Sequence, residues 1–176
     1  MCYFESALKP KEMKKRAKIA KKFLDNFGID PLYVLGRGVS GILALPVFAE
    51  VLNAKIAVSR KQGDSSHAGQ DRIECACRMD FFGSGSYVVV DDFCETGKTI
   101  LEMMKHMGDG EKPKAIIFYC PAGYPSIEGS VLDESDWCDV PRLGIAEDGK
   151  FLFTKNFDVD LLNGTFEKYT VKSRES

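Results

Sequence analysis

The stretch SYVVVDDFCETGKTILEMMKHM, residues 86–107, predicts a strand, a tight loop and a helix in direct succession. Tyr87–Val90 is a short β-branched run of the kind found in strands that are buried on both faces. Two acids, Asp91 and Asp92, end this run. After the loop, apolar residues recur at helical spacing, and Gly108 is the expected stop. A helix N-terminus that follows a tight loop suits an anion, because its first amide groups have no partner within the helix.

The two acids need partners of their own, because adjacent carboxylates repel each other and any phosphate beside them. Ribose hydroxyls or a divalent metal would satisfy them, while the Thr, Gly and Lys residues of the loop wrap a phosphate. The stretch therefore predicts a site for a sugar phosphate with a metal. The nucleotide P-loop, G-x-x-x-x-G-K-[ST], is excluded, because its first glycine would fall on Asp92.

This stretch resembles the signature of the type I phosphoribosyltransferases, in which two acids are followed by a few variable residues, Thr-Gly, one more residue and Thr. The form ETGKT, residues 95–99, is most similar to the hypoxanthine-guanine enzymes. The resemblance implies an α/β fold: a mainly parallel central sheet flanked by helices, with a small C-terminal hood over the acceptor base. It also implies a pentosyltransferase of nucleotide salvage. Such an enzyme uses 5-phosphoribosyl 1-diphosphate and Mg²⁺, transfers the ribose 5-phosphate group to a nucleobase and releases diphosphate. We expect a purine acceptor.

The resemblance implies three catalytic residues. Asp91 and Asp92 would hold the ribose hydroxyls and Mg²⁺, directly or through water. Glu95 would take or orient the proton of the attacking base nitrogen, a position at which similar purine enzymes carry Asp. The longer Glu side chain is thus a departure from the pattern of the family.

The same resemblance implies how the phosphate groups are held. Thr96–Thr99 would cradle the 5-phosphate, and Arg37, Gly38 and Lys61 would receive the leaving diphosphate. The full set of residues expected to bind substrate is Arg37, Gly38, Arg60, Lys61, Cys94, Thr96, Gly97, Lys98 and Thr99.

Strands and helices are predicted to alternate through the rest of the chain. An amphipathic helix over 11–27 is followed by a strand over 32–35 and a glycine-rich turn over 36–41. A second helix then continues through Asn53, with Pro46 expected in its first turn. Further strands are predicted over 55–58, 72–78 and 115–119. Right-handed crossovers would make the sheet largely parallel and would gather the site residues at the carboxyl ends of its strands.

Two segments have no clean match in the family. The polar stretch 62–71 is expected to close over the reaction centre. Arg60, Lys61 and His67 are similar to the loop of the orotate enzymes, but its lysine is missing and the histidine is displaced by one position. In the hood, Tyr124 and Trp137 are candidates to stack on the base, although such rings more often pack a segment against a sheet.

Composition predicts one domain over residues 1–176, with a core over about 29–120 and the hood over about 121–176. A net charge of -2 gives no general attraction to nucleic acid or to a membrane. The absence of a long apolar run and of a signal peptide predicts a cytoplasmic protein. Its six cysteines are expected to be reduced. Dimers are common among similar proteins, so a homodimer is expected, although no stretch identifies an interface.

Two other functions stay open on the sequence. One is a regulatory module that binds 5-phosphoribosyl 1-diphosphate without transferring it, which the unmatched loop and hood favour. In that case the basic helix over 11–27 would be a candidate contact to nucleic acid. The other is a transferase for orotate or another pyrimidine, which rests on Arg60, Lys61 and His67.

Overall fold

The computed structural model describes residues 9–60, 73–75, 86–92, 97–107, 112–120, 140–145, 151–155 and 158–162. These residues form three helices and eight strands. The helices are α1 (Pro10–Asn26), α2 (Gly38–Leu52) and α3 (Lys98–Met107). The strands are β1 (Tyr33–Arg37), β2 (Lys55–Ser59), β3 (Ile73–Cys75), β4 (Tyr87–Asp91), β5 (Ala115–Phe118), β6 (Arg142–Ile145), β7 (Phe151–Lys155) and β8 (Asp158–Leu162).

All eight strands belong to one sheet in the order β3-β2-β1-β4-β5-β6-β7-β8. The five central strands, which are β2, β1, β4, β5 and β6 in their order across the sheet, are parallel. Strands β3, β7 and β8 are antiparallel to their neighbours at the two edges. This arrangement confirms the predicted α/β fold with a mainly parallel sheet. Because the chain builds outward in opposite directions from β1 and β4, the strand order reverses between them, which is where open α/β sheets bind ligands.

Helices cover both faces of the sheet. Val34, Val88 and Ala115 occupy one face in register and pack in the same core as α1 and α2. Leu35 and Val89, one residue further along, face the opposite side and pack with α3. Burial on both faces explains why these strands read as continuous apolar runs rather than as alternating patterns.

Helix α2 begins directly after β1 and lies close against it. A Cβ atom on Gly36 would approach Gly41 C and Leu45 Cδ2 to 3.1 Å, so the helix can pack this closely only against glycine. Pro46 lies inside α2 rather than in its first turn, so that expectation was wrong. A proline has no N–H, so one carbonyl in the preceding turn of the helix lacks its usual donor. The Pro46 side chain is exposed, and on that side of α2 this carbonyl can face water.

The described C-terminal residues add strands to the sheet: β6 extends its parallel part, and β7 and β8 form its antiparallel edge. The polar stretch 62–71 with His67, and the hood candidates Tyr124 and Trp137, lie outside the described residues. The closing loop, the hood and the domain limits therefore stay predictions. Among the described helices, none combines the length and the apolar character needed to cross a membrane.

Candidate functional site

Three neighbouring parallel strands end in polar residues at the same edge of the sheet. Ser59 ends β2, Arg37 ends β1 and Asp91 ends β4, and Asp92 follows directly. All four side chains are buried, with Arg37 7%, Asp91 5% and Asp92 8% exposed. Buried charges are costly unless they are paired, so each of these side chains requires a charged or hydrogen-bonding partner.

The two acids are held in place by the backbone. The Asp92 N–H donates to Asp91 Oδ1 at 3.0 Å. Beyond β5, the Tyr119 N–H donates to Asp91 O at 3.0 Å and the Cys120 N–H donates to Asp92 O at 2.8 Å. On the helix side, Gly41 lies beside the Asp91 carboxylate, because a Cβ atom there would be in ordinary contact with Asp91 Oδ1, at 3.5 Å. The acid pair is thus attached to β5 and faces the first turn of α2.

Tyr119 connects three elements at this edge. Its hydroxyl donates to Ser40 O in the first turn of α2 at 2.9 Å, and its carbonyl accepts from Arg16 Nη1 of α1 at 2.7 Å. Burial, and then the charges of Asp92 and Asp91, raise the pKa of Tyr119 far above its ordinary value. The hydroxyl therefore remains a donor and holds the glycine-rich turn near the acids. Sequence reasoning placed Tyr119 only at the end of a strand and gave no sign of this role.

Two glycines shape the turns on either side of the acids. Gly38 has φ +67° and Gly97 has φ +76°, a backbone region that glycine adopts without strain. Helix α3 starts directly after Gly97, whose carbonyl accepts from the Leu101 N–H at 3.0 Å. The first helical residues, Lys98 and Thr99, have exposed side chains. The sequence correctly predicted a helix N-terminus at this point of the loop.

Helix α3 is linked to the strand ends through two polar side chains one turn apart. Glu102 Oε2 pairs with Arg37 Nη2, and His106 Nδ1 lies 2.9 Å from Ser59 Oγ. Arg37 and Ser59 are partners in the β1–β2 register, so both lie on the sheet face that α3 covers. Neither Glu102 nor Ser59 was predicted as part of a site. Their only sequence signal is that Glu102 and His106 are four residues apart and share one helix face.

The structure places most of the predicted site residues at this edge. Arg37, Gly38, Asp91 and Asp92 end β1 and β4 or begin the following turn, and Arg60 follows β2. The residues Gly97, Lys98 and Thr99 are at the start of α3, which the Arg37–Glu102 contact joins to β1. The predicted site residues that lie outside the described ranges are Lys61, Cys94, Glu95 and Thr96. Within the described ranges, no group of three or more His, Cys, Asp or Glu side chains could hold a metal ion.

Comparison with known proteins agrees with this architecture. The family described as phosphoribosyl transferase domain matches residues 6–140. Mycobacterium tuberculosis orotate phosphoribosyltransferase in complex with inorganic phosphate is similar at a TM-score of 0.56 and 14% identity, over 76% of this chain and 73% of that one. Adenine phosphoribosyltransferase from Leishmania tarentolae is similar at a TM-score of 0.55 and 15% identity, over 78% of this chain and 71% of that one. No curated protein matches the sequence significantly.

One of the similar proteins is much longer than this chain. Leishmania donovani UMP synthase shares 16% identity over 65% of this chain at a TM-score of 0.49, and this chain spans 23% of its length. At such identities the solved structures show the fold and leave the activity of a whole protein to be proposed. The family match covers well over half of the chain. With the parallel sheet and the acid pair at its switch point, it shows that the chain belongs to the type I phosphoribosyl transferase family.

Proposed function

We propose that the chain is a phosphoribosyltransferase that transfers the ribose 5-phosphate group of 5-phosphoribosyl 1-diphosphate to a nucleobase. The observation that carries this proposal is the pair of buried acids, Asp91 and Asp92, at the switch point between β1 and β4. A ribose with a bound metal would offer hydroxyl and cationic groups to such a pair. In the reaction, the bond from the anomeric carbon to diphosphate breaks, and a bond from that carbon to a base nitrogen forms.

The acid pair would orient the sugar and stabilise the charge that develops on it. As diphosphate leaves, positive charge builds on the ribose. Buried carboxylates whose position is already fixed, as the Asp91 carboxylate is by the Asp92 N–H, stabilise such charge without first reorganising. The same two carboxylates fit Mg²⁺, which in phosphate sites takes one or two carboxylates, with phosphate oxygens and water as its other ligands. When bound, Mg²⁺ would neutralise charge on the diphosphate. Asp91 and Asp92 are the residues that would hold it.

The two phosphate ends of the substrate would lie on either side of the acids. The start of α3, Gly97–Thr99, would present the amide groups of a helix N-terminus to the 5-phosphate, with Thr96 and Cys94 assigned to the same loop by the resemblance. Arg37 and Gly38 would receive the diphosphate, and Arg37 Nη1 is a buried donor with no hydrogen-bond partner in the described part of the chain. By resemblance, Arg60 and Lys61 would assist after β2.

Glu95 and a purine acceptor complete the proposal. Glu95 would take or orient the proton that the attacking base nitrogen loses. The purine acceptor rests on the motif ETGKT alone, because solved structures with this fold include both an adenine and an orotate enzyme. An orotate or other pyrimidine acceptor is the alternative that Arg60, Lys61 and His67 favour. The cytoplasmic location, the homodimer and the role in nucleotide salvage stay predictions.

A second candidate is a regulatory module that binds 5-phosphoribosyl 1-diphosphate without turning it over. The observation that favours it is the departure of residues 62–71 from the closing loops of the family, since a site that cannot close cannot exclude water. Both candidates use Asp91 and Asp92, and they differ only in whether diphosphate is released.

The test is diphosphate release from 5-phosphoribosyl 1-diphosphate with Mg²⁺, screened against guanine, hypoxanthine, xanthine, adenine, uracil and orotate. The proposal predicts release that depends on one base, with purines preferred. Substrate binding without release from any base would support the regulatory module. Release with orotate or uracil alone would refute the purine assignment.

A further inference from the structure

Two polar side chains of α3 contact the ends of neighbouring strands. Glu102 and His106 reach from this helix to Arg37 and Ser59, the last residues of β1 and β2. The helix itself is fixed on the sheet by buried Ile100, Met103, Met104 and Met107. Glu102 is therefore a carboxylate on a rigid support, aimed at the end of the strand that leads into the glycine-rich turn.

Arg37 is a buried cation that is only half satisfied. Its side chain is 7% exposed, and its Nη2 pairs with Glu102 Oε2. Its Nη1 is buried and meets no hydrogen-bond partner among the described residues. Because a guanidinium is planar and rigid, fixing one nitrogen fixes the direction of the other. An arginine with a purely structural role would be expected to use both nitrogens, so the open nitrogen indicates a place for an anion.

The strand ends also show what Arg37 would do without Glu102. Leu35 and Val89 are register partners, and Arg37 and Asp91 each lie two residues further along their strands. Arg37 and the buried Asp91 therefore lie at the same level of neighbouring strands. Arginine–carboxylate attraction in a buried site is strong, so an Arg37 released from α3 would turn toward this acid. That contact would occupy both a diphosphate donor and a carboxylate needed for the ribose and the metal.

We propose that Glu102 is a positioning residue for the diphosphate end of the substrate. Its carboxylate holds the Arg37 guanidinium against α3, keeps it apart from Asp91 and leaves Nη1 directed at a diphosphate oxygen. Glu102 itself touches neither the substrate nor the metal. This inference rests on the proposed function. It adds Glu102, which lies beyond the family signature that ends at Thr99.

The test uses calorimetric titration of the full chain with three probes, each with Mg²⁺: 5-phosphoribosyl 1-diphosphate, inorganic diphosphate and inorganic phosphate. Glu102→Gln should weaken binding of the first two about tenfold, because the charged contact to Arg37 is lost. Inorganic phosphate, which probes the 5-phosphate loop, should bind as it does to the wild type. Glu50→Gln is the matched control, because Glu50 is an exposed partner of Lys14 on the surface of α2.

Three further comparisons separate positioning from a structural role. In turnover, Glu102→Gln should raise KM for 5-phosphoribosyl 1-diphosphate about tenfold and change kcat less than about twofold, since the group acts through Arg37 and not on the reacting atoms. In an Arg37→Met background, the same substitution should have no additional effect on diphosphate binding. Glu102→Asp, which keeps the charge, should bind diphosphate more tightly than Glu102→Gln.

Each outcome distinguishes this inference from the proposed function. Unchanged or tighter diphosphate binding by Glu102→Gln, with a wild-type protein that binds, would overturn the positioning role alone. Equal loss in the wild-type and Arg37→Met backgrounds would do the same. Failure of the wild-type protein to bind 5-phosphoribosyl 1-diphosphate would overturn the proposed function, and this inference with it.

Discussion

At the scale of single residues, Tyr119 shows how one buried side chain can hold a site together without touching a ligand. Its hydroxyl bonds to Ser40 O in the first turn of α2, and its backbone N–H bonds to Asp91 O. The carbonyl of the same residue accepts from Arg16 of α1. The glycine-rich turn and the acid pair are therefore attached to the same residue at the end of β5.

The raised pKa of Tyr119 predicts how stability depends on alkaline pH. The pKa lies above its ordinary value of 10.0 because of burial and the nearby acids, so the folded protein keeps the phenol protonated where the unfolded chain ionises it. Its contribution is complete below about pH 10 and falls above it, by up to about 1.4 kcal/mol at pH 11. Urea unfolding of the wild type and Tyr119→Phe at pH 8 and 11 measures this loss. Tyr119→Phe should lose less stability between the two pH values.

Tyr119→Phe should also lower the free energy of unfolding at pH 8. Tyr119→Phe removes the hydrogen bond to the Ser40 carbonyl and should cost about 1 kcal/mol there. An equal alkaline loss in both proteins would show that the Tyr119 phenol ionises as readily in the folded state as in the unfolded chain.

At the scale of elements, the close contact between β1 and α2 predicts different effects for two glycines. A methyl group on Gly36 would meet Gly41 C and Leu45 Cδ2 at 3.1 Å, so Gly36→Ala must push α2 away and should cost about 1–3 kcal/mol. On Gly41 the nearest atom would be Val90 O at 3.4 Å, an ordinary contact. Gly41→Ala should change stability by less than about 1 kcal/mol, helped by the helix propensity of alanine. Urea unfolding compares the two, and equal losses would contradict the close packing seen here.

The elements also show which parts of the fold can be read from sequence. Helix α1 was predicted over 11–27 and spans Pro10–Asn26, and the apolar runs of β1, β2, β4 and β5 were placed within about two residues. The runs of β1, β4 and β5 are buried on both faces and β2 is half-buried, so hydrophobicity alone identifies them. Strand β6 was missed because it has only four residues and contains Arg142, and β7 and β8 lie at an antiparallel edge where the pattern is weaker.

The candidate site could be predicted only where its residues are close in sequence. Asp91, Asp92 and the start of α3 belong to one motif, and Arg37 lies at the end of a recognisable strand that leads into a glycine-rich turn. The contacts of Arg37 with Glu102 and of Tyr119 with Ser40 join residues far apart in sequence. Sheet topology brings these pairs together, and no local pattern contains that information.

At the scale of the whole molecule, the sheet explains why these residues meet. Parallel strands place their carboxyl ends at one edge, and the reversal of strand order between β1 and β4 opens a crevice there. The glycine-rich turn leads into α2 on one face of the sheet, and α3 packs on the other face. The acids lie between two turns suited to phosphate, which matches a sugar that carries a phosphate at one end and a diphosphate at the other.

The most direct test of this account is calorimetric titration of 5-phosphoribosyl 1-diphosphate with Mg²⁺ into the wild-type chain and into Asp91→Asn/Asp92→Asn. Asparagine keeps the size of each side chain and removes the charge that would hold the ribose and the metal. We expect saturable binding by the wild type and binding at least about tenfold weaker in the double variant, with unchanged circular dichroism. Equal affinity in the two proteins, or no binding by the wild type, would contradict the assignment of this edge of the sheet as the substrate site.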